Sequence, residues 1–185
     1  MNSSTFASFF DTPEVPELGP GPRAGVVPLP VVRDKLEVVL TSNEHSATAA
    51  NLIRALVLLW HDHLEAAHAL AQEIDNPDGS YVHAIMHRRE PDYDNAKYWF
   101  RRVGQHPAFA QLKTRATELL HEAKQSEWAE RLAPGGRWDA FAFVDACAAA
   151  AESRGGSGVP ATVLRQIQKA EFEILLRRLE ATRDT

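Results

Sequence analysis

The sequence predicts an all-α protein, an orthogonal or antiparallel bundle of about seven helices preceded by an extended, proline-rich arm. Apolar residues recur with helical spacing along most of the chain, and no stretch shows the strict alternation of a half-buried strand. Clusters of proline, glycine and aspartate divide this pattern into segments of helical length. Because the connections between these segments are short, we expect neighbouring helices to be antiparallel.

The proline-rich arm is expected to cover residues 1–31, and residues 32–185 are expected to form a single helical domain. More than half of the 11 prolines lie in the arm. Proline fixes φ and lacks an N–H donor, so the arm should be extended. It is either flexible or lies in a groove of the domain. In the second case its contacts would come from Val26, Val27, Leu29 and Val31.

Three helical segments open the domain. The run VVRDKLEVVL predicts a short first helix. The next run, TAANLIRALVLLW, is apolar on nearly every side, which is typical of a helix buried at the centre of a bundle. Asp62, with Glu65 three residues later, has the pattern of a capping box and predicts a helix from there to about Asp75. The turn NPDG then ends this helix.

Two more helices follow, joined by a short turn. The first is expected over about Ser80 to Arg89, because Pro91 disfavours a helical conformation in the residue before it. Asp92 or Asp94 can cap the second helix, and Gly104 is a natural stop for it.

The last helices are predicted in three runs, HPAFAQLKTRATELLHEAKQ, RWDAFAFVDACAAAAESR and PATVLRQIQKAEFEILLRRLEAT. A turn, APGG, separates the first two, and a flexible GGSG linker separates the last two. Cys147 lies among alanines in the middle run and is expected to be a small buried core residue.

Composition excludes several functional classes. The formal charge of -5 argues against nucleic-acid binding, which usually needs a basic surface. No apolar run approaches the roughly 20 residues that a membrane span requires. A single cysteine gives no disulfide framework, and the first residues lack the charge and apolar core of a secretory signal. We therefore expect a soluble cytoplasmic protein that binds a small ligand or another protein.

Three successive predicted helices each have a narrow polar strip beside their apolar face, because residues three, four and seven apart share one side of a helix. The strips consist of His68, Gln72 and Asp75; of His83, His87 and Glu90; and of Asn95, Tyr98 and Arg102. If the strips converge, they form a polar, partly buried pocket. The leading hypothesis is that this pocket binds a ligand or a partner, through Arg88, Asn95, Tyr98 and Arg102.

A divalent metal, zinc or iron, is the enzymatic alternative. His83 and His87 are four residues apart, a spacing that lets both imidazoles bind one ion, and His68 could add another ligand from the preceding helix. Glu90 could be a ligand or a base acting on bound water. The protein would then be a metal-dependent hydrolase or oxygenase, in which Tyr98 or Arg102 stabilises developing negative charge.

Other interpretations stay open, including whether the protein is an enzyme. The same histidines could be structural, hydrogen-bonded to carboxylates or carbonyls at a helix interface. Four arginines near a helix N-terminus could bind an anion, although neighbouring acids would neutralise them. These are Arg88, Arg89, Arg101 and Arg102, with Glu90, Asp92 and Asp94 beside them. A third possibility is a scaffold without a small ligand, whose arm recruits or covers a partner surface. The remaining histidines are expected at a helix turn (His61, His63) or in loops and at the surface (His45, His106, His121).

The run SYVHAIMHRREPDYDNAKYWFRRVGQHPAF resembles the signature block of a family of uncharacterised microbial helical proteins. The likeness extends upstream through LWHDHLEAAHALAQEI and more weakly to WDAFAFVDAC and IQKAEFEILL, so it covers most of residues 50–178. That family has no established activity. The resemblance therefore implies a common fold and a shared block.

Overall fold

The computed structural model describes residues 5–152 and 158–182, and these residues form nine α-helices and no strand. The helices are α1 (Leu29–Thr41), α2 (Ala47–Trp60), α3 (Leu64–Ala71), α4 (Pro77–Arg89), α5 (Tyr93–Val103), α6 (Ala108–Glu122), α7 (Glu127–Leu132), α8 (Ala140–Glu152) and α9 (Ala161–Ala181). Two short 3₁₀ helices accompany them, Ala7–Phe10 in the arm and Pro134–Gly136 before α8. The all-α prediction is thus confirmed for the described part of the chain.

The number of helices exceeds the prediction of about seven. One reason is α7, whose six residues are too few to show a helical period in the sequence. None of the helices in the described ranges combines the length and the apolar character needed to cross a bilayer. Of the predicted GGSG linker, residues 155–157 lie outside the described residues.

The second helix lies at the centre of the fold. It contacts α1, α3, α4 and α9, and most of its residues are buried, as its nearly continuous apolar sequence predicts. Trp60 at its end is fully buried. Its indole stacks on Phe10 of the arm, with centroids 4.6 Å apart, and meets the edge of Phe172 of α9 at 5.6 Å. This aromatic cluster joins three parts of the chain.

The helices α4 and α5 form a closely packed hairpin. The Asn76 side chain caps α4 by accepting a hydrogen bond from Gly79 N at 2.8 Å. Asp92 caps α5 by accepting one from Asn95 N at 3.3 Å, and Gly104, with φ of 63°, ends it. Both predicted boundaries of α5 are therefore confirmed.

The predicted capping box at Asp62 is wrong. The helix α3 begins at Leu64, and its N-cap residue, His63, makes no side-chain capping bond. Asp62 has a left-handed conformation, with φ of 61°, that turns its carboxylate into the protein. There Oδ1 accepts hydrogen bonds from Arg23 and from Arg89, each at 2.7 Å. Two buried guanidinium groups are stronger partners than the backbone N–H groups of a helix end.

The arm, from residue 5 to the start of α1, lies against the helices. Its buried side chains include Phe6, Phe10 and Leu18, whereas Val31, one of the four residues expected to make contacts, is 41% exposed. Side chains of α9 donate hydrogen bonds to its backbone carbonyl oxygens. Gln168 donates to Glu17 O at 3.0 Å, and Arg165 donates to Val15 O at 2.5 Å. Apolar burial and hydrogen-bonded carbonyls together compensate for the conformational entropy lost by an extended segment.

Candidate metal centre

Three histidines from two helices meet beside the α4–α5 hairpin. His68 lies in α3, while His83 and His87 lie one turn apart in α4. One ring nitrogen from each lies within 4.8 Å of the other two. Three atoms this close together lie within about 3 Å of a common centre. A Zn–N bond is 2.0–2.1 Å long, so movements of about 1 Å by the three side chains would bring the nitrogens to bonding distance of one ion.

The packing of α3 against α4 explains this convergence. His83 and His87 share one side of α4, and their rings are stacked with centroids 4.8 Å apart. His68 faces them across the helix contact, at centroid distances of 4.7 Å from His83 and 5.4 Å from His87. His68 of the first predicted strip therefore lies beside His83 and His87 of the second.

The imidazoles of α4 are held in their neutral form. Burial, together with the neighbouring imidazoles of His87 and His68, lowers the pKa of His83 to about 3. Burial also lowers the pKa of His87, opposed in part by Glu90. A neutral imidazole has one unprotonated nitrogen, which is the form that binds a metal ion.

His83 has no hydrogen-bond partner among the described residues. Both of its ring nitrogens are buried, and neither finds a donor or an acceptor. An unsatisfied buried polar group is unfavourable by about 1–3 kcal/mol, so most such groups in native proteins are bonded. The alternative prediction was that these histidines form hydrogen bonds to carboxylates or carbonyls. His83 forms no such bond among the described residues.

His87 has the polar neighbours that His83 lacks. Glu90 Oε2 lies 3.3 Å from His87 Nδ1. Asn95 Nδ2 lies 3.1 Å from His87 Nε2, and Asp92 Oδ2 is more distant, 3.9 Å from Nδ1. Glu90 is outside the group of converging nitrogens, so its position is that of a residue that orients a ligand rather than that of a ligand.

An aromatic residue of α5 closes one side of the cluster. The Trp99 indole stacks on the His83 ring with centroids 3.9 Å apart. The Arg102 guanidinium lies over the Trp99 ring, 5.3 Å from its centroid, and pairs with Asp75 at 2.6 Å. Tyr98 is 48% exposed and contacts the edge of Trp99.

Of the residues predicted to bind a ligand, Asn95 contacts His87 of the histidine cluster, and Arg102 contacts Trp99, which in turn contacts His83. Arg88 is elsewhere. It is fully buried, and its Nη2 lies 2.5 Å from Glu171 Oε2 and 3.3 Å from Gln168 Oε1 of α9. Arg89 likewise faces Asp62. Arg88 and Arg89 are thus paired with acidic residues from distant segments. Glu90 and Asp92, which are closer in sequence, lie beside His87 instead.

The sequence analysis did not identify two residues that form important contacts. Trp99 lies four residues after Asn95, beside the polar strip of α5, and reaches His83. His106, expected in a loop or at the surface, is buried: its Nε2 lies 2.9 Å from Asp78 Oδ1, and its Nδ1 accepts from Ala108 N. No local sequence signal distinguishes a histidine of this kind from an exposed one.

Comparisons of the chain with protein-family models, with curated proteins and with solved structures found no significant match.

Proposed function

We propose that this protein binds one divalent transition-metal ion through His68, His83 and His87. The observation that carries the proposal is the convergence of three ring nitrogens within 4.8 Å of one another, including the buried and unpartnered His83. Borderline-soft ions such as Zn²⁺ and Fe²⁺ prefer imidazole ligands. Binding would satisfy one of the two ring nitrogens of His83 that have no partner among the described residues.

The number of ligands favours a reactive site over a purely structural one. Structural zinc sites are closed by four protein ligands, whereas catalytic sites use three and leave a position for water or substrate. Three histidines fit the second type. Bound water would be activated by the metal, which is the basis of metal-assisted hydrolysis. Glu90 would hold the His87 ring in place through its contact with Nδ1.

We extend this proposal to the ligand, the helix arrangement and the location of the protein. The polar pocket would bind its ligand through the metal, with Asn95 and Arg102 nearby. We infer an antiparallel bundle and a cytoplasmic location, supported by the hairpin of α4 and α5 and by the single buried cysteine. The block that resembles the microbial family contains His83 and His87, so these two ligands would be shared by the family.

Elemental analysis of the untagged protein tests the proposal. The protein would be incubated with Zn²⁺, Co²⁺ or Fe²⁺, passed through a desalting column and analysed by inductively coupled plasma mass spectrometry. We expect about one equivalent of metal in the wild type. Single variants His68→Ala, His83→Ala and His87→Ala should bind at least tenfold more weakly, because each removes one of three ligands.

A matched control is His121→Ala, which removes an exposed histidine from α6 and should leave the metal content unchanged. Circular dichroism would verify that each variant is folded. Cobalt adds a second criterion, because its visible absorption reports nitrogen ligation and coordination number. A wild-type protein that stays metal-free under all three conditions would refute the proposal and leave the histidines with a structural role.

A further inference from the structure

A small pocket lies where the end of α5 and the start of α6 meet the segment just before α8. Its volume is about 300 Å³, at the lower end of the range of about 300–1,000 Å³ typical of small-molecule sites. Four aromatic and two charged residues belong to its lining: Phe100, Phe109, Trp138, Phe141, Arg137 and Asp139. None of its lining residues belongs to the proposed metal centre, so the inference below does not depend on the proposed function.

Aromatic side chains form most of the apolar wall of this pocket. Phe100 and Trp138 are almost fully buried, whereas Phe109 and Phe141 are partly exposed. Aromatic rings favour stacked or edge-to-face contacts with another ring, so a wall of this kind suits a planar aromatic ligand. The modest volume limits that ligand to about one ring with a short side chain.

The two charged residues of the lining differ in how far they are already engaged. Asp139 Oδ1 accepts hydrogen bonds from Phe141 N at 2.9 Å and from Ala142 N at 3.0 Å. The carboxylate therefore caps α8, and the positive end of the helix dipole offsets part of its charge. Arg137 is exposed, and its guanidinium has neither an ion-pair partner nor a hydrogen-bond partner within residues 5–152 and 158–182. Its positive charge is thus available to a ligand.

A second arginine lies beside the aromatic wall. The Arg101 guanidinium lies over the Phe141 ring, 5.6 Å from its centroid. It too lacks an acidic partner in the part of the chain that the structure describes. Two positive groups without such a partner are therefore found in and beside the pocket, on a protein whose formal net charge is -5. This local excess of positive charge favours an anionic ligand over a cationic one.

We propose that this pocket binds a small aromatic carboxylate, a single ring joined to the carboxylate by a short chain. The ring packs against Phe109, Trp138 and Phe141, and the carboxylate pairs with the guanidinium of Arg137. A guanidinium matches a carboxylate through two parallel N–H···O bonds. Because no other group holds the exposed side chain of Arg137, it is free to turn toward the ligand.

Titration of the ¹⁵N-labelled wild type with 3-phenylpropionate, followed in ¹H–¹⁵N correlation spectra, tests this proposal. The matched probe is 3-phenylpropionamide, which keeps the ring and the chain but carries no charge. We expect saturable shifts of the backbone amides of Gly104, Gln105 and Arg137, and an affinity for the amide at least tenfold lower than that for the carboxylate. Equal affinities would contradict the pairing with Arg137.

Three variants and the location of the shifts complete the test. Arg137→Gln should weaken carboxylate binding at least tenfold and leave amide binding unchanged, whereas Arg137→Lys should retain part of the affinity because it keeps the charge. The control is Arg33→Gln, which removes an exposed arginine of α1 and should change neither affinity. Shifts confined to α3 and α4 would place the carboxylate at the histidine cluster. That result, or no saturable shift at millimolar concentrations, would refute the proposal.

Discussion

The imidazole of His83 lies flat against the indole of Trp99, with their planes inclined by 24°. A tryptophan this close to a proposed metal ligand should report binding. We expect Co²⁺ to quench part of the tryptophan fluorescence in a saturable manner, with a stoichiometry near one. In Trp99→Phe the quenching should be several-fold smaller although cobalt still binds, because Trp60, Trp128 and Trp138 lie elsewhere in the fold. Unchanged quenching in this variant would place the ion away from His83.

Glu90 should tune the metal affinity without being a ligand. Its Oε2 lies 3.3 Å from His87 Nδ1, so Glu90→Gln removes the negative charge that orients this imidazole. We expect metal affinity to fall by about 10- to 100-fold, the usual effect of losing such a partner. Competition with a chelator of known affinity measures it. The control is Glu73→Gln, an exposed glutamate after α3, which should change nothing.

The buried pair of Arg88 and Glu171 should show strong coupling. Both residues are almost fully buried, and Arg88→Met would leave the carboxylate of Glu171 without its cation. We expect the free energy of unfolding in urea to fall by about 3–5 kcal/mol. The double variant Arg88→Met, Glu171→Leu should recover much of this loss, since no buried charge is left alone. In the exposed pair of Arg115 and Glu118, Arg115→Met should cost less than about 1 kcal/mol. Additive losses in the double variant would contradict this coupling.

Acid should destabilise the protein partly through His61. Burial lowers the pKa of this imidazole to about 4, helped by the positive charge of Arg23, with His63 acting in the same direction and Phe9 O and Asp62 opposing it. The unfolded chain therefore binds the proton first. Stability is complete above the unfolded pKa near 6.5 and is lost as the pH falls from there toward 4, by up to about 3 kcal/mol. In His61→Gln, the loss of unfolding free energy between pH 7.5 and 4.5 should be smaller by a similar amount. An identical pH dependence would show that His61 titrates normally.

Alanine substitutions at two glycines of the arm should distinguish the effect of backbone strain from that of steric crowding. Gly21 and Gly25 both have positive φ, 78° and 74°. A Cβ at Gly21 would lie 2.8 Å from Asp62 Cγ, whereas one at Gly25 would meet nothing within 4 Å. We expect Gly25→Ala to lower the unfolding free energy by about 1 kcal/mol, the penalty for a left-handed alanine. Gly21→Ala should lower it by clearly more, because it also displaces the carboxylate that binds Arg23 and Arg89. Equal effects in thermal unfolding would mean that the arm does not need this close approach.

Local patterns were sufficient to predict the α4–α5 hairpin and the histidine strips. The spacing of His83 and His87 defines a common side of one helix, and Asp92 and Gly104 mark the ends of the next. The location of Asp62 could not be predicted in this way. Its partners, Arg23 and Arg89, are 39 and 27 residues away, and a local capping motif gave the wrong expectation because it ignores such contacts.

The contacts of the arm could not be predicted from local sequence patterns either. Its prolines predict extended backbone, but nothing in that composition indicates which helices it contacts. The decisive bonds come from Gln168 and Arg165, about 150 residues later in the chain. Their side chains look like ordinary polar residues of an amphipathic helix. Only the assembled fold turns them toward the carbonyls of Val15 and Glu17.

The contacts between the arm and α9 also determine the order in which the chain can fold during synthesis. The arm leaves the ribosome before the helices, but the helix whose side chains bind Val15 O and Glu17 O follows about 150 residues later. Until then Phe6 and Phe10 lack the α9 part of their surroundings, including Phe172 and Glu180. The arm is therefore translated before the helices but completes its contacts only after α9 has been made. A nascent chain stalled before α9 would expose these phenylalanines and would be a natural substrate for chaperones.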